Sequence, residues 1–122
     1  MHLHHEDFTG QYGKFWSSYR NASWYKAQVA EAEEMASKHG FATVAELKLA
    51  VTKKIRDFTV GGGFLFAMCS ATDSYDIAMA ADGTDICEYM FDGDPIDPGA
   101  QAKLDYTKTF AFKDFNIEQN PM

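Results

Sequence analysis

The spacing of hydrophobic and polar positions changes several times along the chain, and each change predicts an element. Residues 1–20 hold no regular period. Phe8, Tyr12, Phe15, Trp16 and Tyr19 sit among histidines and Gly10 and Gly13, which predicts a packed irregular loop running into a short helix. Residues 21–39 are rich in Ala and Glu and predict a helix. Asn21 or Ser23 can cap its start by accepting a hydrogen bond from an orphan N–H, and Lys38, His39 and Gly40 mark its end. Its apolar stripe is weak, so a surface position is expected.

A second helix has stronger signals. Thr43-x-x-Glu46 is a capping box, and Val44, Leu47, Val51, Ile55 and Phe58 follow a helical stripe that should pack on a sheet. After Gly61-Gly62-Gly63 comes the continuous apolar run Phe64-Leu65-Phe66-Ala67-Met68-Cys69, which suits a strand buried on both faces of a parallel sheet. Thr72 and Asp73 can cap a short helix through about Ala81, closed by Asp82-Gly83. A short strand is expected near Ile86, a turn-rich loop over 92–99, and a strand covered on one face over 104–115, where Tyr106, Phe110, Phe112 and Phe115 alternate with polar residues. The order helix, helix, strand, helix, short strand, loop, strand is that of a layered α/β fold. Its strands are too few to close a parallel sheet, which suggests one partial domain of a longer chain.

Composition narrows the class. The 122 residues fit a single domain, and 46% hydrophobic content supplies a core. A net charge of −7 without any basic stripe argues against nucleic acid as a partner. No segment has the apolar length of a membrane span, and the first residues lack the pattern of a signal peptide. Two cysteines, Cys69 and Cys87, are too few for a disulfide scaffold, so a reducing, cytoplasmic setting is expected.

The pointed chemistry lies at Ala67-Met68-Cys69-Ser70-Ala71. A nucleophile on a sharp strand-to-helix turn needs small neighbours two residues to either side, and Ala67 and Ala71 meet that need. The helix N-terminus below it favours thiolate, and its free N–H groups can bind an oxyanion. Ser70, Ala71 and Asp73 are therefore the expected substrate-binding positions. A buried small hydrophobe would explain Cys69 equally well on spacing alone.

The stretch GGGFLFAMCSATDSYDIAMAA resembles the elbow of class I glutamine amidotransferase-like proteins. With HLHHEDFTGQYGKF, DICEYMFDGDP and KLDYTKTFAFKDF, it is similar to one bacterial group of that superfamily, often labelled asparagine synthetase B. The resemblance implies a flavodoxin-like three-layer sandwich, with these residues forming an incomplete part of it, and Cys69 as nucleophile. Both elbow neighbours are Ala where the superfamily more often has Gly. The resembled enzymes also use a His and a carboxylate downstream of the cysteine. This chain has no His after His39, so an upstream residue, His5 or His4, is the candidate base. No ATP-binding motif accompanies the asparagine synthetase label, and no cofactor is expected.

Other clusters carry weaker signals. His2, His4, His5, Glu6 and Asp7 could bind a divalent ion, but their spacing fits no structural zinc pattern, and a polar loop or tag remnant explains them too. Asp92, Asp94 and Asp97 lack the spacing of a calcium loop and read as turn residues. Gly61-Gly62-Gly63 precedes a strand and is followed by no Gly-Lys-Ser/Thr, so it is not a phosphate loop. The expectation is a cysteine-dependent amidotransferase-like hydrolase acting on an amide or related acyl compound. The alternatives are a non-catalytic small-molecule or metal-binding module, or a fragment completed by further chain or by a second copy.

Overall fold

The structure is a computed structural model and describes residues 1–12 and 15–118; Gly13 lies outside the described residues. Strand β1 is His2–Leu3, followed by helices α1 (Trp16–Tyr19), α2 (Ser23–Lys38) and α3 (Val44–Val60). Strand β2 is Phe66–Ala67, and helices α4 (Ser70–Ala80), α5 (Tyr89–Asp92) and α6 (Ala100–Lys103) lead to a 3₁₀ turn at Tyr106–Lys108. Helix accounts for 51% and strand for 3% of the described residues. This overturns the flavodoxin-like α/β sandwich expected from the sequence. Only one two-stranded sheet is present among them, β1 beside β2 in parallel, with His2 opposite Phe66 and Leu3 opposite Ala67.

The long helices begin and end where their terminal backbone groups find partners. Thr43 Oγ1 accepts from Glu46 N at 3.2 Å, and Glu46 Oε2 reaches back to Ala42 N at 2.9 Å. The capping box thus holds, with its return bond one residue earlier than the usual form. Helix α2 departs from expectation at its start. Its N-cap is Ala22, with no side-chain cap bond, so neither Asn21 nor Ser23 serves. At its other end Gly40 takes φ of +82°, as a C′ glycine does.

Helix α3 does not lie on a sheet as its stripe suggested; it packs against α2 and α4. Its buried side chains are Val44, Thr52 and Ile55, while Val51 and Phe58 face solvent. The run 64–69 is also only half covered. Leu3, Leu65 and Ala67 join a core with Phe8, Ile55, Ala71, Tyr75 and Met79. The opposite face of the β1–β2 pair carries His2, His4, Phe64, Phe66 and Met68, all exposed. An unbroken apolar run looks alike whether one face or both are covered, which is why the pattern misled.

Helix α4 runs through the middle of the fold. It starts at Ser70, two residues before the expected caps, and its buried residues cover most of its circumference, from Ala71 through Tyr75 and Asp76 to Ala80. A helix buried nearly all round is enclosed by its neighbours, and its two buried polar side chains, Ser74 and Asp76, both find backbone partners. Its first half belongs to the core with Leu3 and Ile55. Its last residues pack with Ile86, Ala100 and Leu104 in a second cluster.

The two later strands do not form. Around Ile86 the backbone is irregular, because Asp85 and Asp97 side chains take the local N–H groups: Cys87 N to Asp85 Oδ1 at 2.8 Å and Asp85 N to Asp97 Oδ2 at 3.1 Å. In the 104–115 stretch the amides of Phe110, Ala111 and Phe112 turn instead to the buried carboxylate of Asp76, at 2.7, 2.8 and 2.7 Å. A strand needs a neighbouring strand for those donors, and here one carboxylate takes three of them.

Replacing Asp76 by Ala would leave three N–H groups at part-buried bonds without their shared acceptor and remove three charge-assisted hydrogen bonds. Urea unfolding of Asp76→Ala is expected to show a loss of the order of 3 kcal/mol. An unchanged midpoint would show that the C-terminal segment is held by other contacts.

A second tie responds to pH. Asp82 meets Lys53 at 3.1 Å and Lys108 at 3.3 Å. Burial alone would raise its carboxyl, but the hydrogen bonds and charges of the two lysines outweigh that and hold it below its usual range. Its contribution is therefore complete above the unfolded carboxylate value and falls away as pH drops through the lower folded one. Acid unfolding of Asp82→Asn should show a shallower loss of stability below about pH 4 than the parent chain.

Candidate functional site

The elbow is built by the parallel pairing of two short segments. Phe66 N donates to Met1 O at 2.9 Å and Met68 N to Leu3 O at 3.1 Å. Just past the sheet, Ala71 N donates to His4 O at 3.3 Å. The histidine-rich loop is then clamped along α4 and α3. Ser74 Oγ donates to Glu6 O at 3.0 Å, and Lys48 Nζ donates to the Asp7 carbonyl. Gly10 sits so close to α3 that a Cβ there would lie 2.5 Å from that of Ala45, so the loop can only seat with glycine at this point.

Cys69 follows Met68 in the two-residue link between β2 and α4, and its backbone has φ 56° and ψ −138°. Glycine visits this region readily and L-residues rarely, with a cost of order 1–3 kcal/mol for those that do. The thiol is exposed and makes no capping bond, although Cys69 occupies the N-cap position. The Cys69 carbonyl is fixed by Thr72, whose N–H and Oγ1 donate to it at 3.1 and 2.7 Å. Thr72 was expected only as a cap; its role in holding the elbow carbonyl has no signature in the sequence.

The predicted partners of Cys69 fall in different places. The Ser70 N–H has no acceptor among the described residues. The Ser70 hydroxyl is buried, again without a described partner. Ala71 is fully buried, and its N–H is shared by the His4 and Met68 carbonyls at 3.3 Å each, so it is not free for a ligand. Asp73 is exposed in the first turn of α4, with Thr72 Oγ1 at 3.2 Å. His4 and His5 are exposed beside the elbow with their rings 3.7 Å apart. Neither ring hydrogen-bonds Cys69 among the described residues; the bond between the loop and the start of α4 is made by the His4 carbonyl.

Cys87 has the opposite surroundings. It is 1% exposed, its Sγ donates to Gly10 O at 3.5 Å, and burial, then the charges of Asp92 and Asp85, push its thiol far up. It lines a groove of about 310 Å³ between α3 and the 83–94 loop, with Phe8, Leu49 and Ala78 as apolar walls and Glu46, Asp85 and Asp94 as acidic ones. Asp85 is raised by burial and by neighbouring aspartates, against the opposing bond from Cys87 N. The groove meets α4 at Ala78 and Ala81, roughly 15 Å along the helix from Cys69. Its acids therefore do not serve the elbow. Among the described residues no three His, Cys, Asp or Glu side chains converge as metal ligands, and no helix is long and apolar enough to cross a membrane. No protein-family model, curated protein or solved structure matches the chain.

Two measurements follow from this geometry. Alkylation of the folded chain, read by peptide mass spectrometry, should label Cys69 rapidly and leave Cys87 unlabelled until the chain is unfolded. In paired unfolding curves, Cys69→Gly should be more stable than Cys69→Ala by roughly 1 kcal/mol, because Ala keeps the φ penalty and Gly does not. Equal stabilities would mean that the elbow carries no strain.

Proposed function

We propose that Cys69 is the nucleophile of a cysteine-dependent acyl-transfer site that hydrolyses an amide or related small acyl compound. The observation that carries this reading is the backbone of Cys69. A non-glycine residue held at φ 56° where a parallel strand enters a helix, with its side chain exposed, is the arrangement of a nucleophile elbow. Strain of this size is retained where the raised side chain has a use. The resemblance to amidotransferase-like proteins supplies the proposed substrate class, although the three-layer sandwich that it also implied is not the fold observed.

The chemistry would run as follows. Cys69 Sγ, as thiolate, attacks the substrate carbonyl carbon and forms a C–S bond. The carbonyl oxygen becomes an oxyanion, and the unengaged Ser70 N–H, on the residue after the nucleophile, is placed to receive it. Collapse breaks the C–N bond, and the leaving nitrogen takes a proton from the acid form of the base. Water then attacks the thioester and returns the thiol. His5, whose ring lies tilted against that of His4, is the proposed base. Its ring would have to turn toward Sγ when substrate binds, as catalytic hydrogen bonds often tighten only in the complex. The substrate is a small molecule, with no nucleic acid involved. Two free thiols, one of them exposed, fit a reducing compartment such as the cytoplasm.

One observation favours a second reading, binding without catalysis. The groove beside Cys87 has an apolar floor, a polar rim and the size of a small-ligand site. A ligand there would protect the chain against heat and leave Cys69 alkylation unchanged.

The deciding test is release of ammonia from a panel of small amides by the parent chain, Cys69→Ala and His5→Gln. Activity in the parent, lost in Cys69→Ala and lowered by about 100-fold in His5→Gln, is the expected pattern. Hydrolysis that survives Cys69→Ala would remove Cys69 from the chemistry. Loss in Cys69→Ala with full activity in His5→Gln would remove His5 as the base.

A further inference from the structure

The exposed face of the β1–β2 pair gathers soft and borderline metal donors, of which only His4 also enters the acyl-transfer reading, as the neighbour of His5. His2 Nε2 stands 3.3 Å from Met68 Sδ, although the two residues are 66 positions apart in the chain. The parallel register sets this, since His2 lies opposite Phe66 and Met68 follows two residues later on the same face. His4 shares that face, and its ring stacks on His2 with centroids 6.1 Å apart. All three side chains are exposed and free to adjust.

We propose that His2, Met68 and His4 form a binding site for a monovalent copper ion. Metal–nitrogen and metal–sulfur bonds are about 2.0 and 2.3 Å, so two donors 3.3 Å apart can share one ion at a near-tetrahedral angle. The thioether selects the metal. Sulfur of this kind favours Cu(I), whereas Mg²⁺ and Ca²⁺ require oxygen donors and Zn²⁺ prefers thiolate, imidazole and carboxylate. Glu6 Oε2 is turned to the His4 backbone N–H at 2.5 Å. Among the described residues no three His, Cys, Asp or Glu side chains converge, so the donor set here has to include methionine. The inference does not rest on Cys69 being a nucleophile, but the metal would sit one residue from it.

Cys69 would bind Cu(I) by itself, so the test uses Cys69→Ser as its background. Cu(I) is titrated without oxygen against bicinchoninate, a chromophoric competitor. The Cys69→Ser chain should withdraw one equivalent, and excess Zn²⁺ should not displace it. Met68→Leu and His2→Gln, added singly, should each weaken the apparent affinity by about tenfold or more. Both positions are on the surface, and circular dichroism confirms that the variants are folded. If the Cys69→Ser chain takes up no copper, the binding was a thiol adduct and the site does not exist. If Met68→Leu binds as tightly as its parent, the thioether is not a ligand and the assignment is overturned.

Discussion

The candidate site depends on one constraint, the ladder of backbone hydrogen bonds that ties residues 1–4 to residues 64–71. Without it the histidine loop has no fixed position relative to Cys69, and β2 has no partner to hold it extended up to the elbow. Closing a loop of more than sixty residues costs chain entropy that a two-residue strand pair cannot offset alone. The surplus comes from the core beneath, where Leu3 and Phe8 on one side and Leu65 and Ala67 on the other pack against Ile55, Tyr75 and Met79. Backbone pairing sets the register, and burial makes the register favourable.

Helix α4 extends that constraint to the rest of the molecule. Its N-terminal half is anchored by the ladder and the His4 carbonyl, and its centre holds the C-terminal segment through Asp76. Its last turn closes the second core with Ala100 and Leu104, and Asp105 N donates to Ala80 O at 2.9 Å. Asp82, just past its end, draws in Lys53 from α3 and Lys108 from the 3₁₀ turn. A disturbance at Asp76 and a disturbance at Cys69 therefore act on the same eleven-residue rod from different points.

What the sequence disclosed, and what it concealed, divides along physical lines. Signals carried by near neighbours were legible. Thr43 and Glu46 are three residues apart and cap α3 as expected, Gly40 ends α2, and Ala67 and Ala71 flank a real strand-to-helix turn. Signals that depend on distant chain were not. The alternation of Phe110 and Phe112 matches a strand, but both are exposed and their amides belong to Asp76, 34 and 36 residues away. Nothing local marks Asp76 as 1% exposed, so its hold on the C-terminal segment has no signature in the sequence. The strand at His2–Leu3 is too short to show a period. The flavodoxin-like sandwich came from the resemblance, and the layered α/β reading from the pattern failed for a related reason: the apolar run 64–69 shows that a strand is hydrophobic, not how many strands lie beside it.

At the elbow itself, stability and position pull in opposite directions. Cys69 takes a conformation that glycine would hold at lower cost, and its side chain caps nothing and packs against little. The fold gains no contact from the sulfur that would offset the strain. It tolerates the strain because both flanks are over-determined, β2 by its ladder and α4 by burial on nearly every side. Cys69 and the Ser70 N–H, which follows it in the chain, therefore lie between two elements that are each fixed independently. The histidine loop is clamped through backbone carbonyls at His4, Glu6 and Asp7, so its seating depends on the main chain and not on the imidazole rings. The rings can therefore be replaced without removing the bonds that position the loop, which separates a test of their chemistry from a test of the fold.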